Sequence, residues 1–186
     1  YESVMPEVAT EGLTVIQSRE LQDNTTFWLA SQRPADVAAT WVRISPAEMQ
    51  TIEEPEVTNA APLKVGLVVP MTQPIKLGAL VDAKGRTNSR LPAGGSLVRA
   101  DDGSYAWAVI VGSEGAGGVR LHIEDMLLPD NASLYFYSDA GEMYGPFTGT
   151  GPDNTGEFWT PSVMGQEGIL QLRVEPGATK DDLLSV

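Results

Sequence analysis

The sequence predicts a mostly β protein: an antiparallel β-sandwich, jelly-roll-like, with one short helix. Short runs of alternating apolar and polar residues recur between residues 96 and 174, which is the period of strands with one face on a core. Glycine (19) and proline (13) are frequent, as expected of many tight turns. The runs are short and regularly spaced, which is typical of a sandwich rather than of a helix-covered sheet.

Residues 1–62 are predicted to form an N-terminal extension packed on the sandwich. The first thirty residues show no sustained period, and Leu13, Val15 and Phe27–Leu29 could be strand fragments. Residues 39–44 alternate as a strand does, with Trp41 available to the core.

The one short helix is predicted to begin at Pro46. Ser45 precedes it as the N-cap, and Glu48 occupies the third helical position, so the two form a capping box. Pro55 is expected to end the helix.

Residues 63–175 are predicted to form the sandwich core. Lys64–Val69 and Ile75–Val81 could be strands, and residues 96–100 and 104–111 form a predicted hairpin across the turn 101–103. The second strand of this hairpin is apolar on both faces, which indicates a central strand.

The C-terminal strands supply most of the predicted core. Val119, Leu121 and Ile123 face one way, and the run 133–138 places Leu134 and Phe136 opposite Tyr135 and Tyr137. In the last strand Leu170, Leu172 and Val174 are expected to face inward, and Gln171, Arg173 and Glu175 to face water. The predicted core residues are Leu121, Leu134, Phe136, Trp159 and Leu172, and residues 176–186 are predicted to be a linker stub.

Charge and composition exclude several classes of function. The formal net charge is −13, which disfavours binding to nucleic acid or to anionic membrane surfaces. The chain has no cysteine, so disulfide scaffolds, thiolate metal sites and cysteine nucleophiles are excluded. It also has no apolar run long enough to span a membrane.

No catalytic or metal site is predicted, and no cofactor. The only histidine, His122, lies on the polar face of a strand, and no serine has the setting of a nucleophile. With one histidine, a zinc site would need three carboxylates. His122 is therefore interpreted as a structural or surface residue.

Aromatic side chains near the C-terminus are the candidate interface: Tyr135, Tyr137, Tyr144 and Phe147. Outer-face aromatics of a sandwich can be covered by the chain's own N-terminal segment, can bind a partner protein, or can stack on sugar rings.

A basic, polar segment stands out in the acidic chain at residues 82–92. Because proteolysis concentrates at exposed polar tips, the candidate processing sites are Lys84, Arg86 and Arg90, together with Lys180 near the C-terminus.

The series LHIEDMLLPDNASLYFYS, GEMYGPFTGTGP and GEFWTPSVMGQEGILQLRV resembles the N-terminal, non-catalytic region of secreted bacterial trypsin-like serine proteases related to lysyl endopeptidase. The resemblance covers roughly residues 63–174 and rests on packing and turn residues. It implies a pro- or accessory domain that assists folding, restraint or positioning of the protease domain of the same precursor. It also implies a secreted, periplasmic or cell-surface location.

Two alternatives stay open at this level. The chain could be a carbohydrate-binding β-sandwich module with polysaccharide as its partner, or a small hydrolase built on a sandwich.

Overall fold

The computed structural model describes residues 15–53, 66–71, 75, 95–99 and 101–176. Within these ranges the chain forms two helices, α1 (Val15–Gln32) and α2 (Pro46–Glu53). The strands are β1 (Ala39–Trp41), β2 (Ser96–Arg99), β3 (Tyr105–Gly112), β4 (Gly118–Val119), β5 (His122–Ile123), β6 (Ala132–Tyr137), β7 (Met143–Phe147), β8 (Phe158–Trp159), β9 (Val163–Met164) and β10 (Glu167–Val174). The predicted mostly β, antiparallel fold class is confirmed.

One six-stranded sheet organises the molecule, with the order β1-β3-β10-β6-β7 and with β2 also paired to β3. Every pairing is antiparallel except that of β1 with β3. The strand β10 lies between β3 and β6, and its Leu172 is opposite Trp107 on one side and Leu134 on the other. The predicted hairpin of β2 and β3 and the central position of β3 are both confirmed.

The first face of this sheet packs on a second layer that contains two short ladders, β4 with β9 and β5 with β8. The buried core between the layers includes Leu134, Phe136, Phe158, Val163 and Leu172. This two-layer arrangement is the sandwich that the alternating pattern predicted, and the jelly-roll connectivity stays a prediction.

The second face of the sheet is covered by α1. Leu29 of the helix is fully buried and forms a second cluster with Tyr135, Tyr137, Met143 and Ile169 of the sheet. One face of the sheet packs on the small ladders, and the other face packs on α1. The strands β6 and β10 are therefore buried along almost their whole length.

The helix α1 corrects the prediction for the N-terminal segment. Strand fragments were expected at Val15 and Phe27–Leu29, but these residues are helical, and Leu13 lies outside the described residues. The helix has no continuous apolar stripe: Leu29 is fully buried, whereas its neighbour Phe27 is 78% exposed. A helix anchored at so few positions leaves little periodic signal in the sequence.

The helix α2 confirms the predicted capping box. The backbone N–H of Ser45 donates to Glu48 Oε2 (2.9 Å), and the backbone N–H of Glu48 donates to Ser45 Oγ (3.3 Å). The two residues thereby satisfy amide donors that a helix start would otherwise leave unpaired.

Two tryptophans expected in the core are partly exposed, Trp41 by 48% and Trp159 by 41%. Phe158, which precedes Trp159, is buried instead, so the inward face of β8 is opposite to the prediction. Gln171 and Arg173 were expected to face water, but both are buried, because α1 covers the face of β10 from which they project.

The predicted strands at residues 119–123 and 64–69 are also corrected. Val119 and Ile123 belong to different ladders, and between them Leu121 exchanges hydrogen bonds with Thr160. Residues 66–71 form no strand, and residues 76–81 of the other predicted strand lie outside the described ranges.

Candidate functional site

A buried cation lies under α1. Arg173 of β10 is 4% exposed, and its guanidinium donates to Asp102 Oδ2 (2.7 Å), Ser104 Oγ (2.9 Å) and Glu175 Oε1 (3.4 Å). The indole ring of Trp28 lies 4.3 Å from the guanidinium carbon. A buried charge is tolerated only when it is paired in this way, so Arg173 joins the sheet, the β2–β3 turn and α1.

The carboxylate of Asp102 is held in its charged form by this arrangement. Burial would raise its pKa, but hydrogen bonds from Arg173 and Ser104 lower that pKa from 3.8 to about 2. The Ser104 bonds come from both its backbone N–H (2.9 Å) and its hydroxyl (2.6 Å) to Asp102 Oδ1. The turn that closes the β2–β3 hairpin therefore also anchors the buried cation.

A second polar contact under α1 involves Tyr137 and Gln171. The Tyr137 hydroxyl donates to Gln171 Oε1 (2.7 Å), and Gln171 Nε2 donates to the backbone carbonyl of Leu29 (3.2 Å). Burial raises the pKa of Tyr137 from 10.0 to about 12, although the positive charge of Arg33 acts to lower it. Burial likewise raises the pKa of Tyr135.

These contacts decide where the candidate interface residues lie. Tyr135 and Tyr137 are at most 1% exposed, so the N-terminal segment of the same chain covers them, one of the three readings that the sequence left open. Tyr144 and Phe147 are half-buried and pack against the core of the other face, with the ring of Phe147 at 4.9 Å from that of Phe158. The four side chains therefore do not form one open aromatic surface.

The histidine lies in a second, exposed cluster on the β5–β8 ladder. The imidazole of His122 stacks on the ring of Trp159, with centroids 4.6 Å apart and planes at 16°. Its Nδ1 lies 3.3 Å from Glu124 Oε1, and its Nε2 lies 3.1 Å from Glu157 Oε1. The guanidinium of Arg120 lies 4.7 Å from the centre of the Trp159 ring.

The cluster holds an exposed histidine between two carboxylates. The ligand atoms of His122, Glu124 and Glu157 lie within 4.8 Å of one another, a separation that a metal ion could bridge. Each ring nitrogen faces a carboxylate, Nδ1 at 3.3 Å and Nε2 at 3.1 Å. Within the described residues, neither ring nitrogen pairs with a serine hydroxyl, as a nucleophilic site would require.

The buried network was missed at the sequence level, although one signal for it was present. Both faces of β3 are apolar, so both faces of its neighbour β10 must also be covered. Gln171 and Arg173 then had to be buried polar side chains that require partners. The proposed processing residues Lys84, Arg86, Arg90 and Lys180 lie outside the described residues.

A family model described as the lysyl endopeptidase N-terminal domain matches residues 86–185. The chain belongs to this family. The match spans β2 to β10, whereas α1, β1 and α2 precede it. The resemblance seen in the sequence is thereby confirmed.

No curated protein and no solved structure matches the chain. Among the described residues of this lysyl endopeptidase N-terminal domain, neither helix has the length and apolar character needed to cross a membrane.

Proposed function

We propose that this chain is the non-catalytic pro- or accessory domain of a secreted bacterial serine protease, and that it assists folding, restraint or positioning of the protease domain. The observation that carries the proposal is the family match, since it covers β2 to β10, which include five of the six strands of the sheet. The name of the family places such a domain N-terminal to a lysyl endopeptidase.

The charge of the chain supports a protein partner with a basic surface. The 25 acidic residues outnumber the 12 basic ones, and opposite charge on a partner would accelerate association. Because α1 and the small ladders cover the two faces of the sheet, the partner would meet a preformed surface, which limits the entropy lost on binding.

A refolding experiment separates the three roles. The protease domain of the same precursor is refolded with and without this chain, and the number of active sites, their activity and the binding of the two proteins are measured. A folding role raises the yield of active sites, restraint lowers the activity of sites already folded, and positioning leaves both unchanged while the two proteins bind. Absence of binding together with an unchanged yield would contradict the proposal.

The absence of catalysis is part of the proposal and has its own assay. The chain alone is expected not to hydrolyse peptides or activated esters, because His122 is engaged by Glu124 and Glu157. Turnover by the purified chain that disappears in His122→Ala would contradict this expectation.

Processing is proposed at Lys84, Arg86, Arg90 and Lys180. Lys84 and Arg86 flank the start of the family match, and Lys180 lies close to its end. Cuts at these positions would separate the matched domain from the chain on either side. Terminal sequencing of the secreted product would locate them.

The carbohydrate-binding alternative has little support from the aromatic residues. Tyr135 and Tyr137 are buried, and the ring of Trp159 is occupied by His122 and Arg120. Co-sedimentation of the chain with insoluble polysaccharide would support the carbohydrate-binding alternative.

A further inference from the structure

The basic side chains among the described residues are all arginines. The chain has four lysines, at positions 64, 76, 84 and 180, and none of them lies among the described residues. The described residues carry six arginines, at positions 19, 33, 43, 99, 120 and 173. The long lysine-free stretch after Lys84 runs from Gly85 to Thr179 and contains β2 to β10.

Contact geometry accounts for three of these arginines. Arg173 donates to three different oxygens, and Arg33 holds both carboxylate oxygens of Asp139, at 2.9 and 3.4 Å. Such forked contacts require a guanidinium, as lysine has a single ammonium group. The stacking of Arg120 on Trp159 also favours arginine.

Contact geometry does not require arginine at the others. The guanidinium of Arg99 lies 6.0 Å from the centre of the Tyr105 ring, a contact that a lysine ammonium can also make. Arg19 and Arg43 are exposed, at positions where the charge of lysine would maintain solubility equally well. A requirement that applies to every described position, whatever its contacts, fits this distribution better than separate local requirements. A lysine-specific protease imposes such a requirement on any protein that must persist beside it.

We infer that the stretch from Gly85 to Thr179, which contains β2 to β10, is kept free of lysine so that it remains intact in contact with the lysine-specific protease it accompanies. Cleavage by a protease that accepts only lysine is thereby confined to Lys64, Lys76, Lys84 and Lys180, and any cut at Arg86 or Arg90 would need a different protease. This inference rests on the proposed function, because it takes the enzyme's preference from the name of the family. It adds that arginine at exposed positions protects the domain.

Arg120 is the position at which to test the inference. It is exposed, and it lies between β4 and β5 rather than in a ladder, so its backbone is less protected than that of a central strand. The full chain, Arg120→Lys and Arg120→Gln are incubated with a lysine-specific endoprotease. Arg120→Gln removes the contact with Trp159 without creating a cleavable bond.

The fragments are identified by mass spectrometry, and the fold is followed by circular dichroism. The parent and Arg120→Gln should retain a folded fragment between Gly85 and Lys180. Arg120→Lys should lose that fragment about tenfold faster through a cut after position 120, since proteolysis follows the population of locally opened states.

Three results would overturn the inference. Arg120→Lys could survive as long as the parent under conditions that cut the lysines of the parent completely. Arg120→Gln could decay as fast as Arg120→Lys, in which case the contact with Trp159 would be what protects the chain. The parent fragment could also unfold once it is excised. Since the assay contains no cognate protease domain, its outcome is independent of the refolding experiment that tests the proposed function.

Discussion

At the scale of single residues, burial separates side chains that look alike in the sequence. Phe136 and Phe27 are both apolar aromatic residues, yet Phe136 is fully buried and Phe27 is 78% exposed. The ring of Phe136 also packs closely over Gly168, where a Cβ would come within 2.5 Å of it. The two phenylalanines therefore form a matched pair for measuring the core.

Phe136→Ala is expected to lower the free energy of unfolding by about 3–5 kcal/mol, because it removes a buried ring and leaves a cavity. The control Phe27→Ala should change that free energy by no more than about 0.5 kcal/mol. Urea denaturation of both variants measures the difference. Equal losses in the two variants would contradict the described packing.

The ion pair of Asp102 and Arg173 predicts a pH dependence. The pKa of Asp102 is lowered from 3.8 to about 2 in the folded protein, so folding favours the charged carboxylate. Its contribution to the free energy of unfolding is present above pH 3.8 and is lost as the pH falls toward about 2. As the pH falls from 3.8 to about 2, the free energy of unfolding should decrease less in Asp102→Asn than in the parent. Urea denaturation at each pH measures this decrease. Parallel curves would show that Asp102 does not contribute.

At the scale of elements, α1 acts as the cover of one sheet face. Its anchors are the buried Leu29 and the contact of Trp28 with Arg173, and directly after the helix Arg33 forms an ion pair with Asp139. The outer side of the same helix exposes Phe27. Substitution of Leu29 should therefore detach the helix, whereas the same substitution at Phe27 should not.

The tyrosines beneath α1 report its position. In the parent, Tyr135 and Tyr137 should form phenolate above the ordinary pKa of 10.0, with Tyr137 near 12. Since folding favours the neutral form, the stabilisation from burying Tyr137 is present below pH 10.0 and is lost as the pH rises through about 12.

In Leu29→Asp both tyrosines should titrate near pH 10, and in Phe27→Asp they should titrate as in the parent. Ultraviolet absorbance of phenolate follows the titration. If Tyr135 and Tyr137 still formed phenolate only well above pH 10 in a folded Leu29→Asp protein, α1 would not be the element that buries them.

At the scale of the whole molecule, charge should govern the encounter with a partner. With a net charge of −13, association with a basic protease surface should slow as the ionic strength rises, because salt screens the attraction. Stopped-flow measurement at several salt concentrations tests this. Substitution of exposed acidic residues by their amides should make the association rate depend less on salt. An association rate that is independent of salt would show that charge does not steer the complex.

The sequence by itself determined the features that depend on short-range chemistry. Ser45 and Glu48 form the predicted capping box, residues 101–103 turn the predicted hairpin, and the alternation in residues 133–138 places Leu134 and Phe136 in one core. The residues that carry the family resemblance lie in the same turns and strands. Each of these features is fixed by neighbours in the chain or by the two-residue period of a strand.

Only the tertiary structure decided what covers each face. The burial of Tyr137, Gln171 and Arg173 depends on α1, which lies more than one hundred residues earlier in the chain. An alternating pattern shows that a strand has two faces, but it does not show whether the second face meets water or another element. The polar residues of β10 were for that reason expected at the surface, although they form the buried contacts that hold α1 on the sheet.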